Sequence, residues 1–302
     1  MRAVLLDAAT KRMERVVDWR VDERGQYLWQ AGPGRVIVHM NGGLHLLGAD
    51  LKEIAVVPVD SDVLWLTSSA SGKRIAVGIL RERHDKKTHE QIEQLSGEEP
   101  EEDVEMRLLD DTGRILMTRN TTSKAPPPVI TDDYEYIVAG VGPRRWRLVA
   151  HNVDGGNVRT LVTLESRCRP RLSAPLSKAL FVTGCDAEGA RWYRVLGEDG
   201  RSLLRSRPSM EEIEDSAAGG GEELAIRYVR LASASSSATD FKIRELKSEH
   251  ISVRSRDGKS LLAIAEPQYP LSRESYALST DGRRLAVLTK TNVEVFDVGA
   301  PD

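Results

Sequence analysis

Glycine-containing turns followed at once by short apolar runs recur along this chain, and the recurrence constrains its fold more than any other feature. The stretch Leu278 to Val298, LSTDGRRLAVLTKTNVEVFDV, shows the unit: an Asp-Gly turn, a strand-like run, a polar turn and a second run. Asp-Gly between apolar runs is a hairpin signal, because both residues tolerate the positive φ that tight primed turns demand. A search for self-similarity at periods of ~20–50 residues is therefore the first test of such a chain. Six segments answer, anchored on Tyr27 in RGQYLWQ, Ile75 in SGKRIAVG, Tyr136 in DDYEYIVAG, Leu180 in LSKALFVTG, Leu224 in GGEELAIR and Leu285 in DGRRLAVL. Successive anchors lie 48, 61, 44, 44 and 61 residues apart.

A second run and turn follow the anchors, as in EMRLLDDTGRILMT, RWRLVAHNVDGGNVRTLV, RWYRVLGEDGRSLLR and ISVRSRDGKSLLAI. Each unit thus reads as four antiparallel strands in ~40–45 residues, the blade of an all-β propeller. A helical solenoid would need 3.6-residue apolar stripes, which these short Val/Ile/Leu runs lack, and a two-sheet sandwich has no need of even spacing. Five complete blades span 23–58, 61–119, 126–165, 167–207 and 211–265, and a sixth opens near Ser272 and ends after its third strand at Val298. Residues 2–18 hold two further runs, AVLLDA and MERVVDW, which either close the sixth blade with a strand to spare or form half of a blade in a seven-bladed ring. Since no turn or cap precedes them, an upstream segment, including a signal peptide, is expected outside this sequence. The whole of 1–302 is read as one propeller domain.

The patterns SGKRIAVG, TDGRRLAVL and VEVFDV resemble WD-type and TolB-like propeller repeats, in which a Ser-x-Asp-Gly-Lys/Arg turn opens the second strand. The resemblance covers nearly the whole chain and is nearest to exported bacterial propellers whose function is unassigned. No blade carries a Trp-Asp pair at the end of its third strand or the Gly-His pair of regular WD repeats. The resemblance implies a fold and no particular activity.

At 302 residues, 40% hydrophobic and 29% charged, the chain is long enough for a sizeable core. Lys and Arg total 43 against 46 Asp and Glu, a net charge of -3, so there is no global basic field and nucleic acid is not an expected partner. No run approaches the ~18 apolar residues of a membrane span, and a monomer is expected. The two cysteines, Cys168 and Cys185, have their midpoint in PLSK, where the register of the last blade puts the turn of the fourth. They should face each other across a hairpin at a Cα separation of about 4.5 Å, within disulfide range. The alternative is two buried thiols packed as small apolar residues. A disulfide points to a periplasmic or secreted protein, although the visible N-terminus carries no export signal.

Both 61-residue spacings reflect insertions after a second strand, at 81–105 and 230–250, and in propeller topology such loops open on one face. Arg81 to Leu95 has the composition of a solvated helix, with Ile92 and Leu95 as its apolar contact. His84 and His89, with Glu101 and Glu102 from the acidic run, are the candidate ligand-binding groups there. The histidines are five residues apart, ~140° around a helix, whereas chelation wants three or four. The acidic run lacks the alternation of a calcium loop. Neither a metal nor a cofactor is expected. The Ser/Ala-rich part of the second insertion reads as a flexible loop.

Further binding candidates, at the channel mouth, are Asp132, Asp133, Arg169, Arg171, Arg273 and Glu274, which equally well solvate a water-filled channel. The histidines show no H-x-H or H-E-x-x-H spacing, and neither G-x-S-x-G nor G-x-x-x-x-G-K-[ST] occurs, so no catalytic residue is assigned. Trp146 and Trp192 hold equivalent third-strand positions and read as packing between blades. The sequence therefore suggests a non-catalytic scaffold that binds a protein or other ligand on the face carrying the insertions. A hydrolase or lyase acting on peptide or sugar at the channel mouth is the alternative, and a fragment without a function of its own is the third reading.

Overall fold

The computed structural model describes residues 2–7, 10, 12–19, 27–81, 101–209, 212–213, 218–220, 222–233, 244–265, 276–289 and 292–299. Among them every regular element is a β-strand. The chain divides into two compact units, Met1–Asp133 and Tyr134–Asp302.

In the first unit β1 (Arg2–Leu6) and β2 (Met13–Asp18) form a two-stranded sheet. The first blade follows as β3 (Tyr27–Gln30), β4 (Val36–Met40), β5 (Gly43–Leu47) and β6 (Glu53–Pro58), and the second as β7 (Val63–Ser68), β8 (Arg74–Leu80), β9 (Asp103–Asp110) and β10 (Ile115–Thr122). The short β11 (Val129–Ile130) opens the third blade. In the second unit that blade continues as β12 (Tyr134–Gly142), β13 (Arg145–Asn152) and β14 (Val158–Glu165). The fourth is β15 (Arg171–Leu176), β16 (Ala179–Cys185), β17 (Arg191–Gly197) and β18 (Ser202–Arg205). In the fifth, β19 (Glu212–Ile213) and β20 (Ala218–Gly220) both pair with β21 (Glu223–Ser233), followed by β22 (Arg244–Ser255) and β23 (Ser260–Ala265). The sixth has three strands, β24 (Tyr276–Leu278), β25 (Arg284–Leu288) and β26 (Val293–Asp297).

These are six antiparallel blades of the β-propeller fold, with limits close to those read from the repeat. Five of the six anchors lie on second strands, whereas Tyr27 lies on the first strand of its blade. The spacing of 48 after Tyr27 is therefore long because it starts one strand early.

Burial explains the strand chemistry. A second strand packed on both faces by its neighbours reads as an unbroken apolar run, as in β16, where all seven residues are buried. The fourth strand β10, ILMTRNTT, has no buried residue. In the first unit Ile37, Leu44 and Val57 of blade one pack against Ile75, Val77 and Leu109 of blade two. In the second, Phe181, Tyr193 and Val195 pack against Leu224, Ile226 and Tyr228, and the other side of blade five packs Ile251 and Val253 on Leu278 and Leu285. Each fully buried side chain of this size contributes ~1.5–3 kcal/mol.

The turns repeat as closely as the strands. In SASGKR the Arg74 amide donates to Ser69 Oγ and the Lys73 amide to Ser71 Oγ; in STDGRR the Arg284 amide donates to Ser279 Oγ and the Arg283 amide to Asp281 Oδ1. Gly72 and Gly282 sit at φ 75° and 72°, where a side chain would be strained. Trp192 lies against its cross-strand partner Gly184, where an added Cβ would come within 2.3 Å of the ring, so this tryptophan packs within its own blade, where the sequence suggests packing between blades.

Candidate functional site

The two insertions leave their blades from roots of similar chemistry. In the first unit, β8 ends at Leu80 and β9 resumes at Asp103, and the Arg81 amide donates to the Asp103 carbonyl at 2.9 Å. Glu105, only 9% exposed, lies opposite Ile79 on β8. Its carboxylate accepts from Arg107 Nε at 2.6 Å and from Arg81 Nη2 at 2.6 Å and Nε at 2.9 Å. Arg107 also donates to the Pro58 carbonyl at 3.0 Å. The bond from Arg107, then that from Arg81, holds the Glu105 carboxyl below the usual carboxylate range. The expected helix at 81–95, with His84 and His89, falls on residues 82–100, which lie outside the described residues.

In the second unit both ends of the 230–250 insertion extend the ladder. β21 and β22 run to 11 and 12 residues, and their pairing extends to Ser233 opposite Arg244. Residues 234–243 lie outside the described residues. At this root Glu249, 4% exposed, is ion-paired with Arg227 on the neighbouring strand. On the adjacent rung Tyr228 stacks on His250, with ring centroids 4.6 Å apart and planes 7° from parallel. Burial, and then the contact with the Tyr193 hydroxyl at 3.5 Å, pushes the Tyr228 phenol far above its ordinary pKa, so it stays protonated.

The remaining described candidates lie on different elements. Glu101 is exposed, and Glu102 is half-buried with its amide on Ser123 Oγ at 3.0 Å and its carbonyl accepting from the Ser123 amide. Asp132 accepts from Ser71 Oγ at 2.5 Å and lies 3.8 Å from the Lys73 ammonium, so it buttresses the β7–β8 turn; Asp133 beside it is exposed. In the second unit Arg169, on the link into β15, and Arg171, the first residue of that strand, are exposed on either side of Pro170. Arg273 and Glu274 lie outside the described residues. Among the described residues none of these acids ion-pairs with another candidate. Among the described residues no group of three or more His, Cys, Asp and Glu converges as metal ligands would.

Cys168 and Cys185 form the expected disulfide, with Cα atoms 5.6 Å apart. The separation exceeds the expected 4.5 Å because the β15–β16 ladder, read from Arg171 opposite Thr183, would set Cys168 against Asp186 and not Cys185. Ser166 Oγ ties both segments, donating to the Cys168 carbonyl at 2.7 Å and accepting from the Cys185 amide at 3.0 Å.

Comparison with known proteins agrees on architecture alone. No family model matches the sequence, and no curated protein matches it. Among solved structures, the chain is similar to Pyrococcus horikoshii acylaminoacyl peptidase at a TM-score of 0.60 and 8% identity, covering 98% of this chain and 46% of that one. It is also similar to TolB from Acinetobacter baumannii (TM-score 0.44, 12% identity, 91% of this chain and 61% of that one). A third likeness is to BamB from Moraxella catarrhalis (TM-score 0.37, 15% identity, 98% and 78%). The chain therefore spans less than two thirds of the peptidase and of TolB. No helix among the described residues is long and apolar enough to cross a membrane.

Proposed function

We propose that residues 1–302 are a single non-catalytic propeller domain that binds a protein or other ligand on the face carrying the two insertions. The observation that carries this reading is the pair of roots. Each lengthened second-to-third-strand connection springs from strands held by a buried glutamate bonded to arginine, Glu105 to Arg81 and Arg107, and Glu249 to Arg227. A buried ion pair fixes geometry more than it adds stability, which suits strands that must present an excursion in one orientation. The disulfide supports export to an oxidising compartment as part of the same reading.

The test is comparative capture. The whole chain and a version lacking both 84–99 and 234–243 are incubated with extract of the source cells, and retained proteins and small molecules are quantified by mass spectrometry. The reading expects a ligand held by the whole chain and lost from the shortened one. Equal retention overturns it, and so does turnover of acylated peptides or glycosides by the whole chain, which would establish the enzymatic alternative.

A further inference from the structure

Charge is unevenly distributed along this chain. Residues 144–207 hold twelve arginines and one lysine against six carboxylates, so this segment is +7 within a chain whose net charge is -3. The remainder therefore carries -10.

The topology of the second unit gathers part of this charge on one edge of blades three and four. Four chain segments meet there: the β12–β13 turn, the β14–β15 link, the β16–β17 turn and the segment after β18. Backbone bonds join them in order. The Ser166 amide donates to the Arg144 carbonyl at 2.9 Å, the Arg167 amide to the Cys185 carbonyl at 3.1 Å, and Arg191 and Ser209 exchange bonds of 2.6 and 2.8 Å. The disulfide crosses the middle of this edge, and Arg191 Nη1 lies 3.4 Å from Cys168 Sγ. The edge thereby carries Arg144, Arg145, Arg167, Arg169, Arg191 and Arg207, of which Arg191 is half-buried and the others are exposed. Among the described residues none of the six is ion-paired.

The carboxylates nearby do not neutralise them. Asp186 accepts from the Glu188 and Ala190 amides of its own turn, at 3.1 and 2.8 Å. Glu165 stands opposite Arg145 on the neighbouring strand and also favours the charge of Arg194, and Glu188 is exposed in the β16–β17 turn, so two carboxylates remain against six guanidinium groups. On the outer strands Arg194 stands directly opposite Arg205 and stacks over Trp192 at 4.8 Å. Opposed like charges on a sheet are unfavourable unless an anion lies between them. Burial, then Arg205, depresses the Arg194 pKa, although the group remains a cation.

We infer that this arginine edge is a docking surface for an acidic polypeptide segment. The inference rests on the binding-scaffold reading and adds to it the chemistry of the partner. Guanidinium groups match carboxylates in bidentate geometry, and a cluster without internal neutralisation favours an anion of several charges. A short acidic segment fits better than nucleic acid on two grounds. A net charge of -3 gives the whole chain no long-range attraction for a long polyanion, while a short peptide feels the charges of the edge itself within a Debye length of ~8 Å. The tryptophans here are also unavailable for base stacking: Trp146 is half-buried with its indole N–H on the Ser166 carbonyl at 2.9 Å, and Trp192 is buried.

The test is fluorescence anisotropy of a labelled octaglutamate peptide with the whole chain, at ionic strengths from ~20 to 200 mM. The edge predicts saturable binding that weakens as salt rises. The triple variant Arg145→Glu, Arg169→Glu and Arg207→Glu should bind at least tenfold more weakly, the corresponding triple lysine variant should retain most of the affinity, and circular dichroism should show both folded. The chain lacking 84–99 and 234–243 should bind the peptide like the whole chain, so failure of the insertion-face reading and failure of this one are told apart. Undiminished binding by the triple glutamate variant, or tighter binding of a 20-base-pair DNA duplex than of the peptide, overturns the inference.

Discussion

The two insertion roots solve one mechanical problem with different depths of burial. At the β8–β9 root, Glu105 is shared by two arginines, and Arg81 sits at the strand end with half of its side chain in solvent. At the β21–β22 root Arg227 meets Glu249, both side chains are almost fully enclosed, and the aromatic rung of Tyr228 and His250 continues the clamp. Where water reaches the partner, a lost carboxylate is replaced by solvent; where it does not, the arginine loses an enclosed counter-charge that solvent cannot replace. The roots should therefore fail by different amounts although they share the same residue types.

The largest effect is expected at the enclosed root. Glu249→Ala should lower unfolding free energy by about 3–5 kcal/mol in urea titrations, because Arg227 loses the Glu249 carboxylate, a counter-charge that water cannot replace inside the blade. A loss below that of Glu105→Ala would break the comparison. Removing the disulfide with Cys168→Ser and Cys185→Ser, in the same unit, should cost about 3 kcal/mol for a closed loop of this length and leave the first root unaffected. Glu105→Ala should cost about 2 kcal/mol, less at high salt since Arg81 is half solvated. Tyr228→Phe, which removes one long hydroxyl contact and keeps the stack, should cost about 1 kcal/mol or less.

Acid sharpens the contrast. The Glu105 carboxyl titrates lower in the folded chain than its ordinary value of 4.5, so its stabilisation is present above that pH and is lost as pH falls through the folded value. Asp110 behaves likewise over a wider window. Burial opposes its charge, but bonds from Thr112 and Arg114 prevail and bring it to about 2, so its contribution fades between about pH 4 and 2. Thermal melts of wild type and Glu105→Gln should converge toward low pH, with Asp110→Asn removing the steepest remaining part of the acid dependence.

What was legible in the sequence follows the range of the interactions that decide it. The turns in SASGKR and STDGRR are local, and their Ser, Asp and Gly appear in the structure in the roles the sequence suggests. The cysteine pair was legible because a hairpin is nearly symmetric about its turn. Tyr27 was misplaced because YLWQ and VIVHM are both short apolar runs, and only pairing to a third strand tells the first from the second. The strand ends in RLAS are not legible because its small residues carry little strand propensity, while its pairing with RELKSEH is decided across the ladder. The Glu105 clamp joins residues 24 apart through an insertion, and nothing in either stretch announces the other. The arginine edge was hidden by averaging, since a net charge of -3 conceals a +7 segment that a windowed count reveals.

The most direct test of the central claim, that the insertions are presented from rigid roots, is hydrogen exchange by mass spectrometry on wild type, Glu105→Gln and Glu249→Gln. Rigid roots predict slow exchange at 77–80 and 104–107, and at 226–230 and 248–252, comparable with the buried β16, and a selective loss of protection at the root that is altered. Roots that exchange as fast as the exposed turns, or variants that leave them unchanged, would contradict the account.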